Sequence, residues 1–114
     1  MIIIIKQIKH LGILGITLYP FIVLRDKSLK QEKRIMNHEQ IHIRQQKELL
    51  VLPFYLIYLL EFGIGLIKYR NKVKAYMNIS FEREAYQHDI DLNYLKDRKM
   101  WAWKRFIGTN KNRD

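Results

Sequence analysis

The chain has 114 residues, of which 48% are hydrophobic, and it carries a formal net charge of +10. This length allows one domain with a core and is too short for two, so we expect a single minimal domain over residues 1–114, with a frayed tail over Gly108–Asp114. The absence of cysteine excludes disulfides and thiolate metal sites. Any metal must therefore be held by histidine and carboxylate groups. The positive charge makes an anionic membrane surface a possible partner. We expect no specific nucleic acid, because the sequence has none of the common binding motifs.

The first apolar runs of the chain, residues 2–8 and Ile13–Leu24, are rich in β-branched residues and are separated by a glycine turn. This pattern predicts an N-terminal β-hairpin or edge strand. Pro20 would confine the second run to an edge or a bulge. Lys6 and Lys9 interrupt the first run, and no small-residue cleavage site follows it. We therefore predict no signal peptide, and a cytoplasmic or peripherally membrane-associated protein.

The next segment carries the motif that points most directly to a chemistry. Ser28–Gln31 fits a capping box, and residues that favour helices continue from Gln31 to Leu52. Inside this predicted helix, His38, Glu39 and His42 form an H-E-x-x-H motif. Histidines four residues apart lie on one face of a helix and can share a zinc ion, with the intervening glutamate beside the metal.

An apolar segment follows the predicted motif helix. Pro53 should end or kink that helix, and Phe54–Ile67 is almost entirely apolar except for Glu61. Residues 49–67 form a window of 19 residues, which is long enough to cross a bilayer. Pro53, Glu61 and basic residues on both flanks argue against a crossing, and so does the short chain left for a third metal ligand to return to the histidines. We expect a core or interfacial helix.

The last predicted helix begins after a basic connection, Lys68–Met77, with Asn78 as its N-cap, and runs from Ile79 to about Arg98. Glu82 and Glu84 flank the apolar stripe of this helix on opposite sides. Helical geometry alone does not choose between them as metal ligands. The predicted fold is α+β and mostly helical: an N-terminal hairpin or edge strand, the H-E-x-x-H helix, the apolar connecting helix and the glutamate helix.

The motif and the run Phe81–Tyr86 together resemble the gluzincin class of zinc metallopeptidases, over roughly residues 15–95. In size the chain is similar to the minigluzincins, and its apolar connection resembles the membrane-embedded members. In several gluzincin families the metal-binding glutamate is followed by alanine three positions later. The resemblance therefore implies His38, His42 and Glu82 as ligands of Zn²⁺, with Glu84 as the alternative third ligand.

The same resemblance implies a partner that orients one histidine. Many gluzincins place an aspartate four positions after the ligand glutamate, and this chain has Tyr86 there. Asp89, one turn further along the helix, can take that role, since a ligating histidine usually needs an acceptor for its other N–H group. The predicted second shell is therefore Tyr86 and Asp89.

The function implied is hydrolysis of peptide bonds in a peptide or protein substrate by zinc-activated water, with Glu39 as general base. Tyr86, His88 and Tyr94 are candidates for stabilising the oxyanion. By analogy with the family, the substrate would lie extended along an edge strand near Ile16–Leu24.

The alternative function is a catalytically weak or inactive basic helical protein that binds a membrane surface or a protein partner. The net charge, the apolar segment and the basic C-terminal region favour it. That region, Lys96–Arg105, mixes basic residues with Trp101 and Trp103, and Phe106 follows it. Tryptophan among basic residues is typical of a membrane interface, but inward packing of the aromatic rings explains the pattern equally well.

Overall fold

The computed structural model describes residues 1–108, apart from the side chains of Lys9 and Leu11. The predicted frayed tail beyond Gly108 lies outside the described residues. The fold is α+β and mostly helical, as predicted. Its strands are β1 (Ile2–Ile4), β2 (Gly15–Leu18) and β3 (Phe21–Leu24). Its α-helices are α1 (Lys33–Leu49), α2 (Val51–Tyr69), α3 (Lys72–Met77), α4 (Ser80–His88) and α5 (Tyr94–Asp97). Short 3-10 helices cover Lys6–Leu11, Lys27–Gln31 and Ala102–Phe106.

The sheet contains a hairpin, but not between the two runs that the sequence suggested. The strand order is β1-β3-β2, with β2 antiparallel and β1 parallel to β3. The hairpin forms within the second run and turns at Tyr19 and Pro20. Because Pro20 lies in the turn, its missing N–H group removes no hydrogen bond from the sheet. The 3-10 helix at Lys6–Leu11 connects β1 to β2, which lie on opposite sides of β3. Strand β3 is central because its side chains from Ile22 to Leu24 are buried.

Both ends of α1 differ from the prediction. Instead of a capping box, Asp26 accepts a hydrogen bond from the Ser28 N–H group and starts the 3-10 helix, and α1 begins only at Lys33. The break at the other end falls at Leu50, whose φ is +70°, and Pro53 lies in the first turn of α2. A proline there would clash with the Leu49 carbonyl in a continuous helix, whereas the first turn of a new helix tolerates it.

The predicted polar connection after the apolar segment contains a helix of its own. Helix α2 extends to Tyr69, and α3 folds back against it. The two helices approach closely at Gly65, where an added Cβ atom would lie 2.9 Å from the Ala75 Cα. By length and composition alone, α2 is the one helix in the described part of the chain that could cross a membrane.

The glutamate helix is shorter than predicted and is capped differently. Asn78 ends α3, and α4 begins at Ser80, whose N–H and hydroxyl groups donate to the Glu61 carboxylate of α2 at 2.6 and 2.9 Å. Helix α4 ends at His88 rather than near Arg98. Beyond it, the Asn37 side chain donates to the carbonyl groups of Asp89 and Asp91 at 2.8 and 3.0 Å. These hydrogen bonds from α1 hold residues 89–91 in a turn, where the prediction had the helix continue.

The core forms where α2, α4 and the C-terminal 3-10 helix meet, around Phe54, Ile79, Phe81 and Trp103. Trp103 and Phe106 are buried, as the inward-packing interpretation of the basic C-terminal region requires, whereas Trp101 is 37% exposed. This packing fixes α4 against α1 and α2, and so sets the position of the glutamates relative to the histidines.

Candidate metal centre

Three buried side chains from two helices meet at one point. The Nε2 atoms of His38 and His42 on α1 each lie 3.1 Å from Oε1 of Glu82 on α4. The three candidate ligand atoms all lie within 4.8 Å of one another. Two imidazole nitrogens and one carboxylate oxygen are a donor set typical of catalytic zinc sites, which use three protein ligands and leave a position open.

The orientation of the His38 ring is fixed by a contact at Nδ1, the nitrogen that faces away from Glu82. Its Nδ1 atom lies 3.0 Å from Oδ2 of Asp89, and the other oxygen of Asp89 accepts a hydrogen bond from Arg34 Nε at 2.8 Å. Because a carboxylate accepts hydrogen bonds, the proton of His38 belongs on Nδ1. The lone pair of the neutral ring is then on Nε2, which faces the meeting point.

His42 is oriented in the same way, by a residue that the sequence analysis did not identify. Its Nδ1 atom lies 2.7 Å from Oε1 of Gln45. The Gln45 amide can be oriented from its other contacts, since its nitrogen donates to the Phe81 carbonyl at 3.1 Å and to Glu84 at 2.9 Å. Its oxygen is therefore the acceptor, and the neutral His42 ring also presents a lone pair at Nε2.

The electrostatics of the centre favour a cation between the histidines and Glu82. Burial disfavours a charged His42, but the negative charge of Glu82 and its hydrogen bond outweigh burial and raise the pKa of His42 to about 9. Burial likewise opposes ionisation of Glu82, but the positive charge on His42 and the hydrogen bond from His42 hold the pKa of Glu82 well below its usual range. A metal ion would take the place of the His42 Nε2 proton, so binding should release a proton.

Glu39 lies beside the centre on the strand side. Its Oε1 atom accepts a hydrogen bond from the Thr17 hydroxyl of β2 at 2.6 Å. Gly15 lies two residues before Thr17 on the same strand, and an added Cβ atom there would lie 3.7 Å from Glu39 Oε2. Glu39 is 7% exposed and lines the same cavity as the two histidines and Glu82. Thr17 thus holds the Glu39 carboxylate near the centre, whereas other residues hold the candidate ligands.

Tyrosines surround the rest of the centre. The Tyr58 hydroxyl of α2 donates to Oε2 of Glu82 at 2.6 Å. The Tyr86 ring packs edge-on against the His38 ring, with centroids 4.4 Å apart, and the Tyr86 hydroxyl lies 2.7 Å from that of Tyr76. Tyr86 thus contacts one candidate ligand, as the sequence analysis expected, although through its ring.

A cavity of about 910 Å³ opens over the centre. Its walls come from the segment Gly12–Thr17, from α1, α2 and α3, and from the side chains of Glu82, Tyr86 and Asp89. Apolar and aromatic side chains of α2 form one wall. The candidate ligands and Glu39 therefore face a space that is large enough for part of a peptide chain.

The structure separates the other predicted site residues from the centre. Glu84, the alternative third ligand, points away from both histidines and lies in a buried cluster with Arg98, Tyr94 and Gln45. His88 stacks on the Tyr94 ring at 3.9 Å, and neither residue lines the cavity. These two oxyanion candidates are therefore wrong, because His88, at the end of α4, and Tyr94, on α5, stack on each other outside the cavity.

The predicted substrate strand also needs correction. Phe21–Leu24 is the central strand and has both edges paired, so β2 is the part of the predicted segment that offers an edge. Part of that edge is covered: the Gln46 amide nitrogen and the Tyr55 hydroxyl donate to the Thr17 carbonyl at 2.8 and 2.6 Å. The Tyr19 N–H group donates to Gln46 as well. Pairing by strand addition is therefore restricted to the end of β2 near Gly15.

Several residues that support the site were missed from sequence, among them Gln45, Thr17, Tyr58 and Tyr76, and only Gln45 left a signal there. Gln45 follows His42 by three residues, a helical spacing that brings side chains together. Thr17 and Tyr58 lie far from the motif in sequence, and nothing in the local pattern distinguishes them from packing residues.

Comparisons of the chain with known protein families, with curated proteins and with solved structures found no match.

Proposed function

We propose that this protein is a zinc-dependent hydrolase of peptide bonds, of the gluzincin type that its motifs resemble. One observation carries the proposal: the Nε2 atoms of His38 and His42 converge on Glu82 in a cavity that also contains the Glu39 carboxylate. The H-E-x-x-H motif alone requires only the helix. The convergence of a third carboxylate from a distant helix is an independent feature of the same chemistry.

The residues present fit a zinc ion. Asp89 and Gln45 direct both Nε2 lone pairs to one side, and Glu82 supplies a negative charge that a cation would neutralise. Bound there, zinc would act as a Lewis acid and lower the pKa of a coordinated water toward neutrality. Tyr58 would keep its hydrogen bond to the second oxygen of Glu82 and so hold the carboxylate in place.

Glu39 is proposed as the general base. The Thr17 hydroxyl holds one of its oxygens, and the carboxylate lies in the cavity that also contains the candidate ligands. A carboxylate in this place can take a proton from water and pass it to the leaving amine. The Tyr76 and Tyr86 hydroxyl groups bond to each other in the cavity wall, and they are proposed as the uncharged donors to a developing oxyanion.

Metal binding is the first experiment. Metal-free protein titrated with zinc should bind about one ion per chain, and His42→Ala should lose the tight site. His10→Ala is the matched control, since His10 is an exposed histidine outside the cavity. Calorimetry and elemental analysis measure the stoichiometry. Absence of zinc binding by the folded wild-type protein would reject the proposal.

Hydrolysis is the second experiment. Incubation of the zinc-loaded protein with β-casein, an unfolded protein, should yield fragments detectable by mass spectrometry. Glu39→Gln should keep zinc but reduce cleavage by roughly 10²-fold or more, because the general base is lost. Asp97→Asn, which changes an exposed carboxylate on α5, should leave cleavage unchanged. Equal cleavage by wild type and Glu39→Gln would reject Glu39 as the base.

A second role is favoured by a specific observation on α2, whose outer face is apolar and exposed. We propose that the protein associates peripherally with a membrane. This role is compatible with hydrolysis, because the opposite face of α2 forms a wall of the cavity.

A further inference from the structure

The outer face of α2 consists of large apolar side chains with no cover in the described part of the chain. Their spacing of three and four residues places them on one side of the helix, and their exposure ranges from 55% to 81%. The set is Leu52, Leu56, Leu59, Leu60, Ile64 and Ile67. We call these six residues the α2 outer face. A soluble surface rarely exposes so many neighbouring apolar side chains, and such a patch commonly marks an interaction site.

The inner face of the same helix is committed to the protein. Phe54 is buried in the core, Tyr58 bonds to Glu82, and Glu61 bonds to the first residue of α4. Gly65 packs directly on Ala75 of α3. A helix surrounded by lipid on all sides would have to give up these contacts, including the one that holds the third candidate ligand. The structure therefore leaves only one side of α2 available to a partner.

The chemistry beside the outer face selects the partner. The C-terminal end of α2 and the start of α3 carry four exposed cations, Lys68, Arg70, Lys72 and Lys74. None of these four forms an ion pair with a described residue. An apolar face that ends in unpaired cations matches a surface that offers acyl chains and negative headgroups together.

We propose that α2 lies in the plane of an anionic lipid bilayer, with the α2 outer face in the acyl-chain boundary and the four cations among the headgroups. A second copy of the chain fits the face less well, because it would bring another net +10 charge to the same surface. The proposal specifies the peripheral association stated above. It does not depend on zinc or on hydrolysis, so the tests use metal-free protein and can fail or succeed separately from the enzyme.

Vesicle binding tests the surface. Wild-type protein should co-sediment with vesicles of equimolar phosphatidylglycerol and phosphatidylcholine, weakly with pure phosphatidylcholine, and less as salt is raised. The triple variant Leu56→Gln, Leu60→Gln, Ile67→Gln should bind at least about tenfold less, because the buried apolar area is lost. The matched control changes three exposed apolar residues elsewhere, Ile90, Leu92 and Met100, to glutamine and should bind as wild type.

The charge requirement has its own matched pair. Changing Lys68, Lys72 and Lys74 to glutamine should weaken binding to anionic vesicles roughly tenfold, while the same change at the exposed Lys27, Lys30 and Lys33 should have a smaller effect. Circular dichroism should show that all variants are folded. Undiminished binding of the α2 triple variant, or equal loss in its control, would overturn the proposal. One more result would overturn the proposal: neither the wild type nor the α2 triple variant binds vesicles, and the wild type forms a dimer that the variant does not form.

A depth measurement distinguishes a helix in the plane from one that crosses. The chain lacks cysteine, so Leu52→Cys, Leu60→Cys and Ile67→Cys each give one site for a fluorescent label. In the plane, brominated lipids should quench all three labels at a similar, shallow depth. A label at position 60 that lies near the bilayer centre, with the other two near opposite surfaces, would overturn the proposed orientation.

Discussion

Two glutamates on the same turn of α4 have opposite environments. Glu82 and Glu84 are both buried, at 4% and 0% exposure, and they point to opposite sides of the helix. Glu82 meets two imidazole rings and one tyrosine hydroxyl. Glu84 meets the Arg98 guanidinium, a tyrosine hydroxyl and an amide. The same residue type in the same helix is thus placed in two different kinds of cluster.

The difference lies in whether the positive partner can give up its charge. A guanidinium keeps its proton and offers donors in a fixed plane, so the Glu84 cluster is closed and structural. An imidazole can lose a proton and then offers a lone pair, so the Glu82 cluster can exchange a proton for a metal ion. Gln45 joins the two clusters, since its oxygen meets His42 and its nitrogen meets Glu84.

The largest expected effect comes from opening the closed cluster. Arg98 contacts both Glu84 and Glu48, the latter at 2.7 and 3.1 Å. Arg98→Met leaves two carboxylates without their cation and should lower the free energy of unfolding by about 3–5 kcal/mol. Urea denaturation measures this change, and Arg70→Met, at an exposed arginine that forms no ion pair with a described residue, is the comparison. A loss below about 1 kcal/mol would contradict a structural role for this cluster.

The next effect separates the two glutamates as ligands. Glu82→Gln should weaken zinc binding by at least about a hundredfold, since losing even a group that only hydrogen-bonds to a ligand costs up to that factor. Glu84→Gln should reduce stability but leave zinc affinity within about tenfold of wild type, because Glu84 contacts the centre only through Gln45. Competition with a fluorescent chelator gives both affinities. Similar losses in the two variants would remove the distinction drawn between the clusters.

A smaller effect tests the bridge between the clusters. Gln45→Leu removes the acceptor for His42 Nδ1 and a donor to Glu84, so zinc affinity should fall by about tenfold and stability should fall too. Gln40→Leu, at an exposed glutamine of the same helix, is the control. Unchanged zinc affinity in Gln45→Leu would mean that His42 needs no fixed tautomer.

The last effect is the dependence of stability on pH. Burial opposes a charged His42, but the negative charge of Glu82 raises the pKa of His42 in the folded metal-free protein to about 9, above its ordinary value of 6.5. Its contribution is therefore complete below pH 6.5 and is lost as pH rises through 9, with a slope of at most about 1.4 kcal/mol per pH unit. Saturating zinc should flatten this loss, because the ion replaces the proton.

The closed cluster should respond at the other end of the pH range. Burial opposes ionisation of Glu84, but hydrogen bonds from Arg98 and Tyr94 lower its pKa below the ordinary value of 4.5. Its contribution is present above pH 4.5 and is lost only as pH falls through the lowered pKa. Between pH 6.5 and 9 the metal-free protein should thus lose only the His42 part, and His42→Gln should show a flat profile in urea unfolding. An equal slope in that variant would assign the titration to another group.

The sequence by itself determined the parts that depend on local spacing. The helix that carries His38, Glu39 and His42 was predicted because its residues favour helix and its motif has helical spacing. The mostly helical α+β fold and the break near Pro53 follow equally from local preferences. The register that singled out Glu82 came from the gluzincin resemblance, and the structure places that residue, not Glu84, beside the histidines.

Only the tertiary structure decided what depends on contacts between distant segments. Glu82 and Glu84 flank the same apolar stripe, and the packing of Phe81 against Phe54 and Trp103 sets which one faces α1. The end of α4, the parallel pairing of β1 and the supports from Thr17 and Tyr58 likewise arise from long-range contacts that no local pattern encodes. Spacing fixes which side chains share a helix face, and packing fixes what that face meets.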